Sequence, residues 1–396
     1  MKIIMHIDVN NAFLSWEAIY LLNNGYKYDI RNSYAVIGGD ESNRHGIVLA
    51  KSNPAKKLGI LTAEPLFKAR KKCRVLKVYP PHFEFYKKIS NSLINLIKNY
   101  TPDVEQASID ECYMDYTGIE YLYGNYMDFA VKIQKEIYET LGFTVNIGIG
   151  NNKLCAKMAS DFSKPYKIHT LFKSEIENKM YQLPIEDLFG IGKKTAPKLR
   201  NINIKTIGDL ANYNEFELAK YFKNQAMKMI ELAKGIDCSE VIKEKIDAKG
   251  ISRSTTLKKD LKNKTEIYKV IEKLTEQLCI ELRQLNKFAY VITTFTKNNK
   301  FVITSHQRKL KNATNNTLQI TKIAKELLDE MYKEESIRLV GVRIDKFVLN
   351  NKEQLSLFEN NQENNKLDKT LDNLKCKYGY NIINNASNVT KHDIMS

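Results

Sequence analysis

The sequence predicts an α+β protein of several domains, and three observations predict it. Strand-like and helix-like segments interleave over the first 165 residues, and a short stretch after Pro184 reads as helical throughout. From Lys249 onward the pattern is β-α-β-β-α-β, the split-βαβ arrangement. A chain of 396 residues also exceeds what one hydrophobic core organises.

Lys2 to Val9 is an apolar run suited to a buried strand, which puts Asp8 at its carboxyl end, and a helix follows with Phe13, Trp16 and Ile19 or Tyr20 at helical spacing. Short strands are predicted at Tyr34 to Ile37, Gly46 to Ala50 and Val75 to Tyr79, separated by loops rich in Gly, Asn and Lys. A helix over Phe83 to Lys98 ends before Pro102, and Val104 to Ser108 with Glu111 to Tyr116 reads as a hairpin centred on Ile109-Asp110. A helix near Met127 to Leu141, a strand Thr144 to Ile149 and a helix Lys153 to Phe162 complete the interleaved part. The helical part continues through Leu199 and again from Ile207 to Ala233. The last pattern comprises strand Ile251 to Leu257, helix Glu266 to Leu285, strands Phe288 to Thr296 and Phe301 to Leu310, helix Leu318 to Tyr332 and strand Arg338 to Phe347.

With 43% hydrophobic and 27% charged residues the composition is that of a soluble globular protein. The apolar opening is broken by His6 and Asp8, too short for a membrane span or a secretory signal. The six cysteines are scattered without zinc-ligand spacing, which points to reduced thiols and a cytoplasmic location. A net charge of +16 favours polyanionic partners, although solvated lysines of an AT-biased genome give the same number. Distribution favours the first reading, because between Glu244 and Asn350 there are 22 Lys and Arg against 13 Asp and Glu.

Asp8 and the pair Asp110-Glu111 place acids at strand ends about a hundred residues apart. Carboxylates in such positions are the preferred ligands of Mg²⁺, and equally serve as plain turn or cap residues. The stretch Ile7-Asp8-Val9-Asn10-Asn11-Ala12-Phe13, with Ser108-Ile109-Asp110-Glu111-Cys112-Tyr113-Met114-Asp115, resembles the two catalytic motifs of the Y-family (DinB/UmuC-type) translesion DNA polymerases. Asn152 to Asp161 with Lys164-Pro165 is similar to the third palm motif of that family, and Leu183 to Leu199 to its thumb. The likeness runs in order over roughly the first 350 residues.

The resemblance implies a ferredoxin-like palm (1–38 and 74–166), short fingers (39–73), a helical thumb with a helix-hairpin-helix (167–240), a little finger (241–350) and a tail (351–396). By the same resemblance two Mg²⁺ ions are held by Asp8, Asp110, Glu111 and the carbonyl of Val9. Adjacent residues on a strand face opposite ways, so Glu111 reaches the site only if the hairpin bends. Phe13 matches the steric gate that excludes a 2′-hydroxyl, and an alternative reading makes it ordinary helix core. The amides of Asn10, Asn11, Ala12 and Phe13 lie where a helix begins and suit a triphosphate. Lys164 matches a triphosphate contact. Asn53 and Lys56 replace the Tyr and Arg of many relatives, so their nucleotide roles keep a charge but lose the bidentate fork.

Gly190-Ile191-Gly192-Lys193 resembles a helix-hairpin-helix turn on a DNA phosphate, and Ser252, Arg253, Ser254 and Thr255 supply further phosphate donors. Gln354, Leu355, Leu357 and Phe358 are similar to a bacterial sliding-clamp motif, and an internal motif followed by a tail is closer to the UmuC-like branch. The expected activity is template-directed DNA synthesis from dNTPs on primer-template DNA, error-prone and tied to the SOS response, by a monomer. The rivals are a two-metal nuclease and a non-catalytic DNA-binding repair accessory.

Overall fold

A computed structural model of the chain describes residues 1–41, 46–244, 247–349, 361–379 and 382–383. They fall into two compact units, one of residues 1–40 and 46–246, the other of 41–45 and 247–396.

Unit 1 opens with β1 (Ile4–Val9) and α1 (Ala12–Asn23), then β2 (Ala35–Gly38), β3 (Val48–Lys51), α2 (Asn53–Lys57), α3 (Leu66–Lys72) and β4 (Lys77–Tyr79). It continues with α4 (Phe83–Lys98), β5 (Val104–Gln106), β6 (Glu111–Asp115), α5 (Glu120–Tyr123), α6 (Tyr126–Leu141), β7 (Val145–Gly150), α7 (Lys153–Asp161) and β8 (Ile168–Leu171). The main sheet has the order β5-β6-β1-β7-β8, with β1 antiparallel to both neighbours and β8 parallel to β7. Strand alternation divides β1 between two faces. Met5, Ile7 and Val9 join the α4 and α6 side chains in one core, whereas Ile4 packs with Ala156 of α7. His6 and Asp8 therefore share the α7 face.

Two glycines bring α7 close to that face. A Cβ on Gly148 would lie 2.0 Å from the Ala156 carbonyl oxygen, and one on Gly150 2.6 Å from the Cys155 Cβ. A second sheet, β3-β2-β4, packs α2 and α3 on one side and α1 on the other. The helical part comprises α8 (Ile176–Lys179), α9 (Ala196–Arg200), α10 (Ile207–Ala211), α11 (Glu215–Phe222) and α12 (Ala226–Ala233). Its core takes in Leu154, Cys155 and Met158 of α7, so α7 serves two cores at once.

Unit 2 contains β9 (Gly250–Leu261), α13 (Lys264–Gln284), β10 (Phe288–Asn298), β11 (Ile303–Thr314), α14 (Thr317–Met331), β12 (Ile337–Val348) and α15 (Asn361–Tyr378). The antiparallel sheet has the order β11-β10-β12-β9, and α13 and α14 cover one face through Ile292, Val340, Val342 and Ile344. By alternation Ser252, Ser254, Thr293, Phe295, Gly341 and Arg343 stand on the other face. Phe295 and Gly341 are direct partners in the ladder, and a Cβ on Gly341 would fall 2.1 Å from the Phe295 ring. The C-terminal helix is docked by Arg283, which donates from Nε to Asp372 at 2.6 Å and from Nη1 to Asp368 at 3.3 Å.

The predicted helix Phe83 to Lys98 is the observed one, and the β-α-β-β-α-β run is present with strands longer than expected. Neither the edge strand β8 nor the helices α2 and α3 were foreseen.

Candidate active site

The register between β1 and β6 gathers the acids. Asp8 is the direct cross-strand partner of Glu111, so their side chains share a face, where opposed Cβ atoms lie about 5 Å apart. Asp110 sits in the turn just before β6. Its carbonyl accepts from the Val9 N–H at 3.0 Å, and its carboxylate accepts from the Ser108 hydroxyl at 2.6 Å. All three acids thus stand at one end of adjacent strands.

A cleft of about 280 Å³ is lined by Asp8, Val9, Asn11, Ala12, Phe13, Leu49, Ala50, Lys51, Thr62, Asp110 and Lys164. Glu111 stands beside it, with the Lys157 ammonium at 2.7 Å and the His6 Nε2 at 3.4 Å. His6 and Lys157 hold the Glu111 carboxyl down to about 2, against the upward pull of burial. Burial depresses His6 itself, so at neutral pH it is uncharged and Lys157 is the cationic partner. Lys164 is ion-paired with Asp8 and, at 2.8 Å, with Asp161. Burial lowers the Lys164 pKa, but Asp8 and Asp161 outweigh it and the net shift is upward.

Among the described residues no three His, Cys, Asp or Glu side chains form a closed metal-binding group. The donors that do face the cleft, the carboxylates of Asp8 and Asp110, are hard oxygens, and one or two carboxylates completed by substrate phosphates is how Mg²⁺ is usually held. The residues therefore fit such an ion, with Lys164 paired to Asp8 and Lys157 to Glu111.

The start of α1 opens into the same cleft. Asn10 is taken up elsewhere: its N–H donates to the Thr144 carbonyl at 2.9 Å, and its side chain bonds Asn146 and the Tyr166 N–H. Asn11, in the left-handed region at φ 49°, turns the chain into α1, whose first N–H groups have no side-chain cap. Phe13 stacks on Tyr86, with ring centroids 5.1 Å apart and planes inclined by 20°. Asn53 lies outside the cleft lining, and its Oδ1 accepts from the Asn11 Nδ2 at 3.2 Å. Lys56 is exposed on α2 and is likewise absent from the lining.

Sequence reasoning missed the supporting residues. His6 reaches the Ser160 hydroxyl at 2.8 Å, Glu17 accepts from the Tyr86 hydroxyl at 2.5 Å, and Asn146 donates to the Ser160 and Ser163 carbonyls. Their partners lie far along the chain, where spacing carries no signal. Lys51 and Thr62 were missed as well; each is a polar residue within a segment read only as strand or loop.

In the helical part Gly190 has φ +93° and Gly192 is exposed, with open space where a Cβ would stand. Buried Ile191 anchors the turn between them, and Lys193 is exposed beside it. In unit 2 Ser252 and Ser254 occupy the uncovered face of the sheet, but Arg253 and Thr255 point the other way, and the Arg253 guanidinium donates to Glu281 of α13 at 2.8 Å. A larger cavity of about 1140 Å³ lies along β9, α13 and α14, lined by charges that pair with one another, such as Lys325 with Glu272 at 2.5 Å. It holds none of the predicted nucleotide-binding residues. The predicted clamp motif, Gln354, Leu355, Leu357 and Phe358, lies outside the described residues. Among the described residues no helix is long and apolar enough to cross a membrane.

Comparison with known proteins places this geometry in context. The impB/mucB/samB family matches residues 7–161, its C-terminal domain residues 248–357, and the IMS family HHH motif residues 173–204. A DNA polymerase IV of Clostridium acetobutylicum is 46% identical over 96% of this chain and 97% of its own length, and one of Alkaliphilus oremlandii is 35% identical over 98% and 99%. A solved Y-family chimera of Dbh and Dpo4 superposes with a TM-score of 0.77 at 26% identity, covering 88% of this chain and all of that one. DinB from Sulfolobus solfataricus matches with a TM-score of 0.57 at 26% identity and the same coverage. These relatives are of the DinB type, and none of them speaks for the UmuC-like branch. With Asp8, Asp110, the Phe13 ring and the start of α1 in one cleft, and relatives matched over nearly their whole length, the chain belongs to the impB/mucB/samB family of Y-family DNA polymerases.

Proposed function

We propose that this polymerase extends a primer at the cleft lined by Asp8, Asp110, Phe13 and Lys164, and that the nucleotide's triphosphate lies against the start of α1. The observation that carries the reading is that one cavity of about 280 Å³ joins both acids, the aromatic ring and the helix N-terminus. Two Mg²⁺ ions, when bound, supply charge neutralisation at the transferring phosphoryl group and lower the pKa of the primer hydroxyl.

Asp8 and Asp110, with Glu111 adjoining, would hold those ions through their carboxylates. The N–H groups of Asn11, Ala12 and Phe13 donate to phosphate oxygens, a use favoured by the helix dipole. Lys164, in the same lining, would offer its ammonium to the triphosphate. The primer 3′-oxygen bonds to the α-phosphorus, the bond to pyrophosphate breaks, and the hydroxyl proton passes to solvent. Phe13 presents a flat face to C2′, where a hydrogen fits and a hydroxyl collides.

The helix-hairpin-helix around Gly190 and Gly192 and the uncovered face of the unit 2 sheet grip duplex phosphates. Such contacts hold DNA without reading its sequence. The short fingers suit bypass of damaged templates in the damage response, by a cytoplasmic monomer. Docking to a sliding clamp through Gln354, Leu355, Leu357 and Phe358 rests on the sequence alone. A primer-extension assay with Mg²⁺ and dNTPs tests the whole reading: templated elongation supports it, shortening of the primer supports a nuclease, and binding without chemistry supports an accessory protein.

A further inference from the structure

Among the described residues lining the cleft, Lys51 is the cation whose hydrogen-bond partner is a neutral hydroxyl. Lys51 ends β3, in ladder register with Val36, and contributes to the wall that Leu49, Ala50 and Thr62 share. Its ammonium donates to the Thr62 hydroxyl at 2.9 Å. Lys164, the other cation of the lining, is held by the carboxylates of Asp8 and Asp161. Lys56, to which the sequence assigned a triphosphate contact, is exposed on α2 and outside the lining.

We propose that Lys51, assisted by the Thr62 hydroxyl, is the cation through which the finger side of the cleft binds the triphosphate of the incoming nucleotide. The chemistry is that of a charge-assisted hydrogen bond from an ammonium to phosphate, which needs a point charge and no planar fork. Part-burial and the nearby charge of Lys56 push the Lys51 pKa down, with Glu64 opposing them, and an arriving polyanion offsets the repulsion from Lys56. Asn53 supports the arrangement from behind, since its bond to Asn11 ties α2 to the start of α1, the other phosphate-facing element. The assignment rests on reading the cleft as the nucleotide site.

Single-nucleotide insertion kinetics on the full chain test it. Lys51→Ala raises the KM for dNTP about 10-fold or more, the size of one charge-assisted contact, with kcat changed less than about 3-fold. Primer-template affinity stays at its original value, Lys51→Arg recovers most of the loss, and Thr62→Ala gives a smaller rise of the same kind. Lys57→Ala, an exposed neighbour on α2, is the control and leaves KM in place. If Lys164→Ala raises the dNTP KM and Lys51→Ala does not, Lys51 is no triphosphate ligand and the cleft reading stands. If Lys51→Ala weakens primer-template binding by the same factor as dNTP use, Lys51 belongs to the template path and the proposal fails. Should neither lysine variant move KM, the cleft reading and the proposal fall together. Circular dichroism matching that of the unsubstituted chain excludes misfolding, and Lys51→Met repeats the test with the stem retained.

Discussion

Tyr86 is the platform on which Phe13 rests: the two rings stack at 5.1 Å, and the Tyr86 hydroxyl is fixed by the buried carboxylate of Glu17 at 2.5 Å. Glu17 is also bonded by His82 at 2.9 Å, so a chain of contacts leads from a buried acid to the proposed sugar gate.

That chain separates the ring from the hydroxyl beneath it. Phe13→Ala costs roughly 100-fold in discrimination against ribonucleotides, the usual limit for rejecting a hydroxyl by shape. Tyr86→Leu removes the platform and gives a partial loss, whereas Tyr86→Phe keeps the stack and leaves discrimination nearly intact. Insertion of matched rNTP and dNTP pairs measures all three. Equal discrimination in Phe13→Ala and the parent would remove Phe13 from the gate.

The acids differ in what they face. Asp8→Asn and Asp110→Ala lower the extension rate by roughly 10²-fold or more, as expected for lost preorganised charge, while primer-template affinity is kept. Glu111→Gln, beside the cleft and paired with Lys157, has a smaller effect. Rapid-quench extension over a Mg²⁺ titration distinguishes them, and an Asp110→Ala enzyme with full activity would be incompatible with the metal assignment.

Gly190 and Gly192 make a controlled pair. Nothing stands within 4 Å of a Cβ on Gly192, so Gly192→Ala folds normally and loses DNA affinity only because phosphate can no longer approach the backbone. Gly190→Ala strains a residue at φ +93° and lowers stability by about 1 kcal/mol. Thermal unfolding and filter binding read the two effects separately. Unchanged DNA affinity in Gly192→Ala would discount the turn as a phosphate contact.

The two faces of the unit 2 sheet predict opposite behaviour for neighbouring arginines. Arg343, on the uncovered face and paired there with Asp345 at 2.7 Å, is the expected phosphate contact, and Arg343→Ala is expected to reduce the slope of log affinity against log salt by about 1. Arg253, turned to Glu281, leaves that slope in place when changed to Ala. A fluorescence-anisotropy salt titration between 50 and 200 mM, the range in which counterion release is steep, decides between them.

What the sequence disclosed follows the reach of local pattern. The helix Phe83–Lys98 shows in the spacing of its apolar residues, and Asp8 shows as the end of an apolar run. Helix α2 is five residues rich in Lys, and its start depends on a Ser52 cap that resembles any loop serine. Strand β8 exists because β7 offers it a parallel edge, and its own four residues carry little pattern. Asn10 looked like a phosphate donor until Thr144, Asn146 and Tyr166 were found to occupy it. The expected bend at Glu111 is met differently: Asp110 leaves the strand, and register alone sets Glu111 opposite Asp8.

That register also governs how such a chain can change over generations. Because side chains alternate with period two, one residue gained or lost within β1 or β6 turns an acid away from its partner and an apolar residue toward it. Point substitutions in these strands are graded, but length changes are all-or-none. The exposed turn at Asn24 and Gly25, between α1 and β2, can absorb an insertion at little cost. Descent with the chemistry intact therefore demands gap-free inheritance of two short strands, and leaves the connections between them open to drift.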